Sequence, residues 1–329
     1  MPSPTSSART SPRPCGRCPR EGRPIRRRLD AELVRRGIAS SREQAREMIT
    51  SGRVLVAGAS ATKAARQVSP AEPVELIGPP PRFVGRGGEK LDGALDRFAI
   101  DVDGRRALDA GASTGGFCDC LLQRGAASVV AIDVGYGQLH PTIREHPLVD
   151  ARERTDIRSV SADDIAGPVD VVTADLSFIS LGRVAPALVG LVRDGGDLVV
   201  LVKPQFEAGR REASKGRGII RDSRVWRRVL GEVVDAFATA GAIAVGVGPS
   251  SIRGGDGNVE FVLHLRPAAA PDRGEPLDAA ALDAVVAEIA GHPIPDEGGP
   301  DGGAAPPGAG GPEDGRHGDG DRTAEGGAS

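Results

Sequence analysis

Apolar residues recur at helical spacing near the start of the chain. Leu29, Leu33 and Val34 share one face of a predicted helix, and Gly37 follows as a residue suited to end it. Residues 40–43 read Ser-Ser-Arg-Glu, a capping box that predicts the start of a second helix, which Gly52 would close. The inward positions of this second helix are predicted to be Ala45, Met48 and Ile49.

Short strands at 53–56 and 74–76 complete a small α+β domain, which we predict over residues 25–78. Three prolines then mark a semi-rigid linker over 79–88. Beyond it strands and helices alternate, which predicts a doubly wound α/β domain over residues 89–267. Its predicted strands span 106–110, 128–133, 169–175, 197–203, 242–247 and 258–265. Its predicted helices span 89–99, 116–124, 180–192 and 223–240.

Composition separates the two ends of the chain from this body. Residues 1–24 are rich in Pro, Ser and Arg and lack apolar periodicity, so we expect a disordered extension. The pair Cys15 and Cys18 has no second Cys or His pair nearby, and we interpret it as a chance pair and expect no metal site. Residues 268–329 form an acidic tail, with one amphipathic helix expected near 276–290. Residues 298–329 hold 12 Gly and 4 Pro, and we expect them to be disordered.

Charge is distributed unevenly, although the net charge is only −3. Residues 1–90 carry 18 Lys and Arg against 8 Asp and Glu, whereas residues 268–329 carry 3 against 13. A basic module ahead of a near-neutral body is typical of an adaptor that brings a polyanion to a catalytic domain. The alternative is that the charged ends only aid solubility.

The outward positions of the small domain are arginines. Arg42 and Arg46 lie four residues apart on one helical face and should repel each other, and phosphates of a nucleic acid would supply the missing countercharge. The alternative is a solvated basic face. The segment over residues 25–76 resembles an S4 domain, which implies docking on structured RNA. The outward arginines are Arg26, Arg27, Arg28, Arg35, Arg36, Arg42, Arg46 and Arg53.

Several protein classes are excluded at this stage. The longest apolar runs fall short of the roughly 18 residues of a membrane span, and the amino-terminal residues lack the apolar core of a secretory signal. Four Cys in 329 residues do not make a disulfide framework. We therefore expect a soluble cytoplasmic protein.

A glycine-rich loop carries the first chemical signal. Gly111 follows a predicted strand and Gly115 opens a predicted helix, where backbone amides can approach a ligand closely. The spacing is G-x-x-x-G-G and not the G-x-G-x-x-G of dinucleotide sites, so it fits a cofactor without a pyrophosphate, such as S-adenosylmethionine. Asp133 ends the next strand, a position from which a carboxylate reaches ribose hydroxyls.

Lysine usage carries the second signal. The chain has 42 basic residues but only four lysines, so a lysine is expected where an arginine cannot serve, for example as a base that must lose its proton. Lys203 ends the most apolar strand, and burial there would favour the neutral amine. Chance placement of so few lysines is the alternative.

Four charged residues are predicted to converge beside this loop. Asp175 and Lys203 end parallel strands and so project from one edge of the sheet. If the last strand is antiparallel, Glu260 near its start lies at the same edge, and Lys90 can fold over it. Ordinary ion pairs are the alternative, but we interpret the set as catalytic.

Residues 25–266 resemble the TlyA family, which joins an S4 domain to an FtsJ/RrmJ-like ribose 2′-O-methyltransferase and has also been labelled haemolysin. Long ordered motifs carry the resemblance. They are residues 82–91 (RFVGRGGEKL), 109–122 (DAGASTGGFCDCLL), 131–139 (AIDVGYGQL), 174–181 (ADLSFISL), 201–207 (LVKPQFE) and 257–261 (GNVEF).

The resemblance implies a Lys-Asp-Lys-Glu tetrad at Lys90, Asp175, Lys203 and Glu260. In the implied reaction Lys203, oriented by Asp175 and Glu260, deprotonates a ribose 2′-hydroxyl of ribosomal RNA, and Lys90 balances charge or holds the nucleotide. The chain departs from the family at Phe83 and Gly85, which leaves the linker's role open. The implied S-adenosylmethionine site comprises Gly111, Ala112, Ser113, Gly115, Asp133 and Asp156, with Asp175 near the methionine end.

The family implies cytidine targets in the small and large ribosomal subunits, and RNA contacts are expected from the S4 arginines, Arg86 and the loop at 215–218. Three alternatives stay open. A protein of this kind could bind ribosomes without catalysis, or it could act on membranes as the family label suggests. A nicotinamide dehydrogenase fits least, because the glycine spacing is wrong for it.

Overall fold

A computed structural model describes most of the chain. The expectations for residues 1–24, with Cys15 and Cys18, for residues 298–329, for the Ser40 and Glu43 side chains of the capping box and for Lys215 fall outside the described residues. The helix expected near 276–290 is confirmed, because a helix spans Ala279–Gly291. The described residues are 26–39, 42–78, 81–209, 212, 214, 216, 218–254, 257–271 and 274–291.

Two helices pack on small sheets in the amino-terminal unit. Helix α1 spans Leu29–Arg35 and helix α2 spans Arg42–Thr50, and the predicted apolar positions of both helices are buried except Val34, which is half-buried. Gly37 and Gly52 follow these helices with φ of 70° and 71°, the left-handed conformation that ends a helix at low cost. The predicted helices are thus confirmed.

The strands of this unit are β1 to β5. Two of them match the predicted strands, and β2 pairs antiparallel with β5 so that Val54 lies opposite Leu76. The other three are two-residue strands without a hydrophobic pattern of their own, and sequence analysis missed them. The strands are β1 (Arg27–Arg28), β2 (Val54–Val56), β3 (Ala59–Ser60), β4 (Gln67–Val68) and β5 (Val74–Leu76).

The segment predicted as a linker is partly built into the second unit. Helix α3 spans Gly87–Arg97 and begins two residues before its predicted start. Phe83 is buried in the same hydrophobic cluster as Leu91 and Leu95 of that helix. The end of the linker is therefore fixed by packing against the second unit.

The large sheet has seven strands among the described residues, in the order β11-β12-β10-β9-β6-β7-β8. Strands β6 to β10 pair in parallel, whereas β12 is antiparallel to both β10 and β11. This arrangement confirms the doubly wound α/β fold and the antiparallel last strand. The strands are β6 (Arg106–Ala110), β7 (Ser128–Ile132), β8 (Val149–Arg152), β9 (Val169–Ala174), β10 (Val192–Val202), β11 (Ala242–Pro249) and β12 (Phe261–Pro267).

Each face of the sheet is covered by helices, which gives two hydrophobic cores. Alternate residues of a strand point to opposite faces, so Ala107 of β6 lies in one core and Leu108 in the other. Helix α3 shares the core of Ala107. The remaining helices are α4 (Gly116–Gln123), α5 (Pro141–Arg144), α6 (Ala185–Leu191), α7 (Pro204–Glu207), α8 (Ser223–Thr239) and α9 (Ala279–Gly291).

Strand β8 was not predicted, and β12 starts three residues later than predicted. None of the four residues of β8 is fully buried, so its sequence lacks the apolar run that marks the inner strands. Residues 258–260 belong to the loop that leads into β12. Glu260 therefore lies immediately before the strand and not within it.

Candidate active site

The glycine-rich loop lies where β6 ends and α4 begins. Gly111 and Gly115 adopt left-handed φ values of 86° and 95°. A Cβ atom on Gly111 would lie 2.7 Å from the carbonyl oxygen of Asp175, so only glycine fits this close approach to the end of β9. The loop and the end of β9 thereby form one continuous backbone surface.

Asp133 holds this loop from the neighbouring strand. Its Oδ2 accepts a hydrogen bond from the backbone N–H of Ser113 at 2.8 Å, and its Oδ1 accepts one from Gly135 at 2.6 Å. Each carboxylate oxygen can accept a second hydrogen bond. The carboxylate therefore supports the loop and keeps acceptor capacity for a ribose hydroxyl.

Asp156 lies beyond β8 and caps a short 3-10 turn at Ile157–Ser159. Its Oδ2 lies 2.5 Å from Nη2 of Arg158, and this hydrogen bond lowers the pKa of Asp156 to about 2. The carboxylate is thus ionised and paired with an arginine, and Asp156 does not line the cleft described below.

The first charged pair is Lys203 with Asp175. Nζ of Lys203 lies 2.6 Å from Oδ1 of Asp175 and donates a hydrogen bond to Oγ of Ser177 at 3.1 Å. Lys203 is only 8% exposed. Because β9 and β10 are parallel neighbours, their carboxyl ends bring these two side chains together.

The second charged pair is Lys90 with Glu260. Nζ of Lys90 donates a hydrogen bond to Oε2 of Glu260 at 2.5 Å, and both side chains are buried. Gln205 Nε2 donates to Oε1 of the same carboxylate at 3.5 Å. Glu260 therefore contacts Lys90 and Gln205, while Asp175 and Ser177 contact the amine of Lys203. That Glu260 also orients Lys203 stays a prediction.

One cleft of about 340 Å³ collects these groups. All four residues of the predicted tetrad line it, together with Gly111, Ala112 and Ser113 of the glycine-rich loop. Gly115, Asp133 and Asp156 do not line it: Gly115 lies behind the loop against Ile143, and the two carboxylates lie beyond the loop. The sequence thus predicted one continuous site, and the structure brings the four residues of the predicted tetrad together.

An exposed aromatic side chain at the cleft was missed by sequence analysis. Phe178 lines the cleft, is 89% exposed and has a left-handed φ of 65°. Its ring centroid lies 5.0 Å from that of Phe206, a second lining residue. Aromatic residues make up only 3% of the chain, so the rarity of Phe could have drawn attention to Phe178 and Phe206 as candidate site residues.

Glu207 was also missed, and it joins the two loops that carry the first charged pair. It follows Lys203 by one helical turn, in α7. Its carboxylate accepts hydrogen bonds from Oγ of Ser180 at 2.7 Å and from the backbone N–H of Leu181 at 2.8 Å. Burial raises the pKa of Glu207. The loop after β9 is therefore tied to the loop after β10.

The arginines of the amino-terminal unit surround two carboxylates. Asp30 pairs with Arg28, Arg42 and Arg46. The expected repulsion between Arg42 and Arg46 is thus relieved within the protein, because Asp30 supplies a countercharge before any phosphate does. Sequence analysis overlooked this partner because Asp30 lies on the other helix.

Three other predicted RNA contacts differ from one another. The expectation that Arg36 faces outward is corrected. Its side chain is only 18% exposed and donates to the carbonyls of Ser69, Pro70 and Glu72, so it stabilises a loop. Arg26 is exposed and pairs with Glu72. Arg86 lines the cleft and donates to the carbonyl of Arg253 at 3.2 Å.

The two units meet beside the cleft. Nε2 of Gln44, on α2, donates a hydrogen bond to the carbonyl oxygen of Val84 at 3.2 Å, and Gln44 lines the cleft.

Among the described residues, no three His, Cys, Asp or Glu side chains are placed to hold a metal ion. No helix in the same part of the chain is long and apolar enough to cross a membrane.

Comparison with known families divides the chain at the same place. Residues 27–74 match the S4 domain, and residues 83–267 match the FtsJ-like methyltransferase family. The 16S/23S rRNA (cytidine-2′-O)-methyltransferase TlyA of Mycobacterium tuberculosis is 50% identical over 242 residues, which cover 73% of this chain and 90% of that protein. Hemolysin A of Brachyspira hyodysenteriae is 36% identical, with 72% and 99% covered.

A solved structure agrees with these relatives. A Streptococcus thermophilus protein described as a hemolysin superposes with a TM-score of 0.66 at 36% identity, covering 82% of this chain and 96% of that one. The family match spans more than half of the chain, and the relatives are covered almost end to end. The chain therefore belongs to the FtsJ-like methyltransferase family, in the TlyA group that carries an S4 domain ahead of the methyltransferase domain.

Proposed function

We propose that this protein transfers a methyl group from S-adenosylmethionine to the 2′-hydroxyl of a cytidine in ribosomal RNA. The observation that carries the proposal is the buried Lys203 paired with the half-buried Asp175 beside the glycine-rich loop. The rRNA (cytidine-2′-O)-methyltransferase activity by which the Mycobacterium tuberculosis relative is named supports the choice of substrate. An rRNA substrate would place the protein in the cytoplasm.

The residues around the loop fit S-adenosylmethionine. Gly111 leaves open backbone where a Cβ atom would collide with Asp175, and the loop has no glycine spacing for a pyrophosphate. Asp133 is placed to accept from ribose hydroxyls, and Asp156 would stand beyond it. The bound cofactor would supply a methyl group on a positively charged sulfur. The residues that would hold it are Gly111, Ala112, Ser113, Gly115, Asp133 and Asp156, with Asp175 near the methionine end.

Lys203 is the group that would take the proton from the ribose hydroxyl. Oδ1 of Asp175, 2.6 Å from Nζ, would pair with the ammonium group that results from proton transfer. Ser177 fixes the direction of Nζ through its hydrogen bond.

Lys90 and Glu260 line the same cleft as Lys203. Their ion pair is buried, so neither side chain is free to turn toward solvent. Gln205 adds a third polar group beside this pair. We propose that this group of three holds the nucleotide in place and that Lys203 carries out the proton transfer. Positioning of this kind supplies a large part of the rate of a two-substrate reaction.

Exposed aromatic and basic groups would bind the RNA. The ring of Phe178 is open to solvent beside Phe206, which suits stacking on a base that has left its helix. Arginines of the S4 domain would contact phosphates of the surrounding RNA. Arg86 lines the cleft between these two regions and would contact the RNA near the target nucleotide.

The proposal is tested by methyl transfer to ribosomal subunits. Small and large subunits from cells that lack the gene would be incubated with the protein and S-adenosylmethionine labelled in its methyl group, and 2′-O-methyl positions would then be mapped. We expect label on cytidine of at least one subunit. Binding to subunits and cofactor without any transfer of label would instead support a ribosome-binding protein without catalysis.

The hemolysin name of two relatives points to a second measurement. Leakage of dye from vesicles of phosphatidylcholine and phosphatidylglycerol would be recorded with the same preparation. We expect no leakage at concentrations that give full methyl transfer. Leakage together with absent methyl transfer would overturn the proposed function.

A further inference from the structure

Asp30 lies at the centre of one group of arginines. Its carboxylate accepts from Nε and Nη2 of Arg28 at 3.1 and 2.9 Å and from Nη2 of Arg42 at 3.0 Å, and Nε of Arg46 lies 3.6 Å from Oδ2. The carboxylate has no solvent exposure, whereas the three arginines are 42% to 57% exposed. The arginines therefore form a layer directly above it.

Glu32 forms a second group of the same design. Nε and Nη2 of Arg35 donate to its two oxygens at 2.8 and 2.6 Å, Nε of Arg36 donates at 2.8 Å, and Nη1 of Arg27 lies 4.0 Å away. This carboxylate is also without solvent exposure. The hydrogen bond from Arg35 lowers the pKa of Glu32 to about 2. The hydrogen bond from Arg28 likewise lowers the pKa of Asp30, so both carboxylates are ionised.

We name the outer layer the arginine face: Arg27, Arg28, Arg35, Arg42 and Arg46. A surface that only attracted RNA by its charge would gain from the absence of Asp30 and Glu32, since each cancels one positive charge. Their position beneath the layer has a different effect. Each guanidinium has five N–H donors, so the arginines can bind a carboxylate inward and still present donors outward.

We propose that Asp30 and Glu32 are positioning residues that hold the arginine face in the geometry needed to bind successive phosphates of its target RNA. This inference rests on the proposed function, because it assumes that the arginine face binds ribosomal RNA. Long arginine side chains lose rotamer freedom when they bind, and side chains ordered beforehand avoid this cost. Asp30 also joins residues of both helices, so it fixes the spacing between Arg28 and Arg42.

The test compares carboxylate removal within the face and away from it. Asp30→Asn and Glu32→Gln each remove one negative charge with little change of shape, and the Asn oxygen can still accept from the backbone N–H of Ala31. Glu75→Gln is the matched control, because Glu75 is an exposed acid of the same unit on β5. Dissociation constants of the full chain would be measured for unmethylated ribosomal subunits and for a short RNA duplex of unrelated sequence.

A purely electrostatic role of Asp30 and a positioning role predict opposite changes in the affinity for ribosomal subunits when its charge is removed. We expect Glu75→Gln to tighten both complexes slightly and Asp30→Asn to weaken subunit binding by about tenfold or more, since several arginines must then be ordered on binding. The affinity for the unrelated duplex should stay unchanged or increase in both Glu75→Gln and Asp30→Asn. Subunit binding by Asp30→Asn that is as tight as wild type, or tighter, would overturn the proposal. The same comparison with Glu32→Gln tests the second group.

Loss of folding and failure of the proposed function are separated by further measurements. Thermal unfolding would show whether a variant keeps its structure. In the wild type, NMR relaxation of the Nε–H groups should show Arg28 and Arg35 ordered before RNA is added, and Arg224, which is 90% exposed, mobile. Equal mobility of all three would contradict the positioning role. A variant with both Arg42→Ala and Arg46→Ala that still binds subunits normally would overturn RNA docking itself.

Discussion

Nζ of Lys90 and Oε2 of Glu260 lie 2.5 Å apart, although 170 positions separate these residues in the chain. Two features of the fold cause this contact. Strand β12 runs antiparallel to β10, so the residue before β12 lies at the edge where β10 ends. Lys90, on helix α3, lines the cleft at this edge. The pair therefore lies in the same cleft as Lys203 and Asp175.

Breaking this pair on one side is expected to destabilise the protein. Lys90→Met leaves the Glu260 carboxylate buried without its charged partner. Glu260→Gln likewise leaves the Lys90 ammonium group buried without a charged partner. Each single variant should lose about 3–5 kcal/mol of unfolding free energy, while the double variant should lose less than the sum. Urea denaturation of the four proteins measures the coupling. Additive losses would show that the two side chains stabilise the fold independently.

Lys203→Arg is expected to abolish methyl transfer. An arginine keeps the positive charge but does not release its proton at physiological pH, so the base is lost. The rate should fall by about a hundredfold to ten-thousandfold, with S-adenosylmethionine binding unchanged in calorimetry. Lys63→Arg is the control, because Lys63 is exposed in the amino-terminal unit. Normal turnover by Lys203→Arg would show that another group takes the proton.

Removal of the Glu207 carboxylate is expected to misplace the loop that carries Asp175. Glu207→Ala leaves the N–H of Leu181 without its acceptor, and displacement of the reacting groups by about 1 Å can cost up to a hundredfold in rate. The turnover number should fall while the affinity for S-adenosylmethionine stays the same. Glu207→Gln, which keeps one acceptor oxygen, should recover part of the activity.

The control for this prediction is Glu232→Ala, at an exposed acid on α8 whose partner is Arg228. It should leave both parameters unchanged. An equal loss of turnover in Glu207→Ala and Glu207→Gln would instead assign the effect to the charge of Glu207 and not to its hydrogen bonds.

Asp109 is expected to make stability depend on pH. It is fully buried beneath the glycine-rich loop, accepts from Sγ of Cys118 at 3.0 Å, and burial raises its pKa to about 7. Between the ordinary aspartate pKa near 4 and pH 7, the folded state holds a proton that the unfolded state has released, so stability falls as the pH rises.

Asp109→Asn mimics the protonated form and removes this dependence. The variant and the wild type should have similar melting temperatures near pH 4, and the variant should be more stable by several degrees near pH 8. Differential scanning calorimetry at matched ionic strength measures the difference. A constant difference across this pH range would mean that Asp109 has the same protonation state throughout.

Particular residues show how far sequence reasoning reached into the site. The ends of β9 and β10 were predictable because apolar runs stop at Asp175 and Lys203, and the edge of a parallel sheet follows from that. Glu260 could be assigned to the same edge only if β12 ran antiparallel. The sequence did not determine the direction of that strand. The role of Asp30 was hidden, because two of its partners, Arg42 and Arg46, lie on another helix.

The residues missed in the cleft share a physical reason. Phe178 lies on a loop and Glu207 on the four-residue helix α7, and such segments are too short for hydrophobic periodicity to report the direction of a side chain. Arg36 was assigned outward because helical spacing gives the face of a residue but not what packs against that face. The loop at residues 69–72 covers this arginine, and only the folded unit shows it.

The sequence by itself determined the two-unit organisation, the buried faces of the helices, the inner strands and the chemical types present at the sheet edge. These follow from local periodicity and from the conformational needs of glycine and proline, which act over a few residues. Tertiary structure decided which charges pair: Lys203 with Asp175, Lys90 with Glu260, and the arginine face with Asp30 and Glu32. Ion pairing depends on distances of a few ångströms between residues far apart in the chain, and only the packed fold sets these distances.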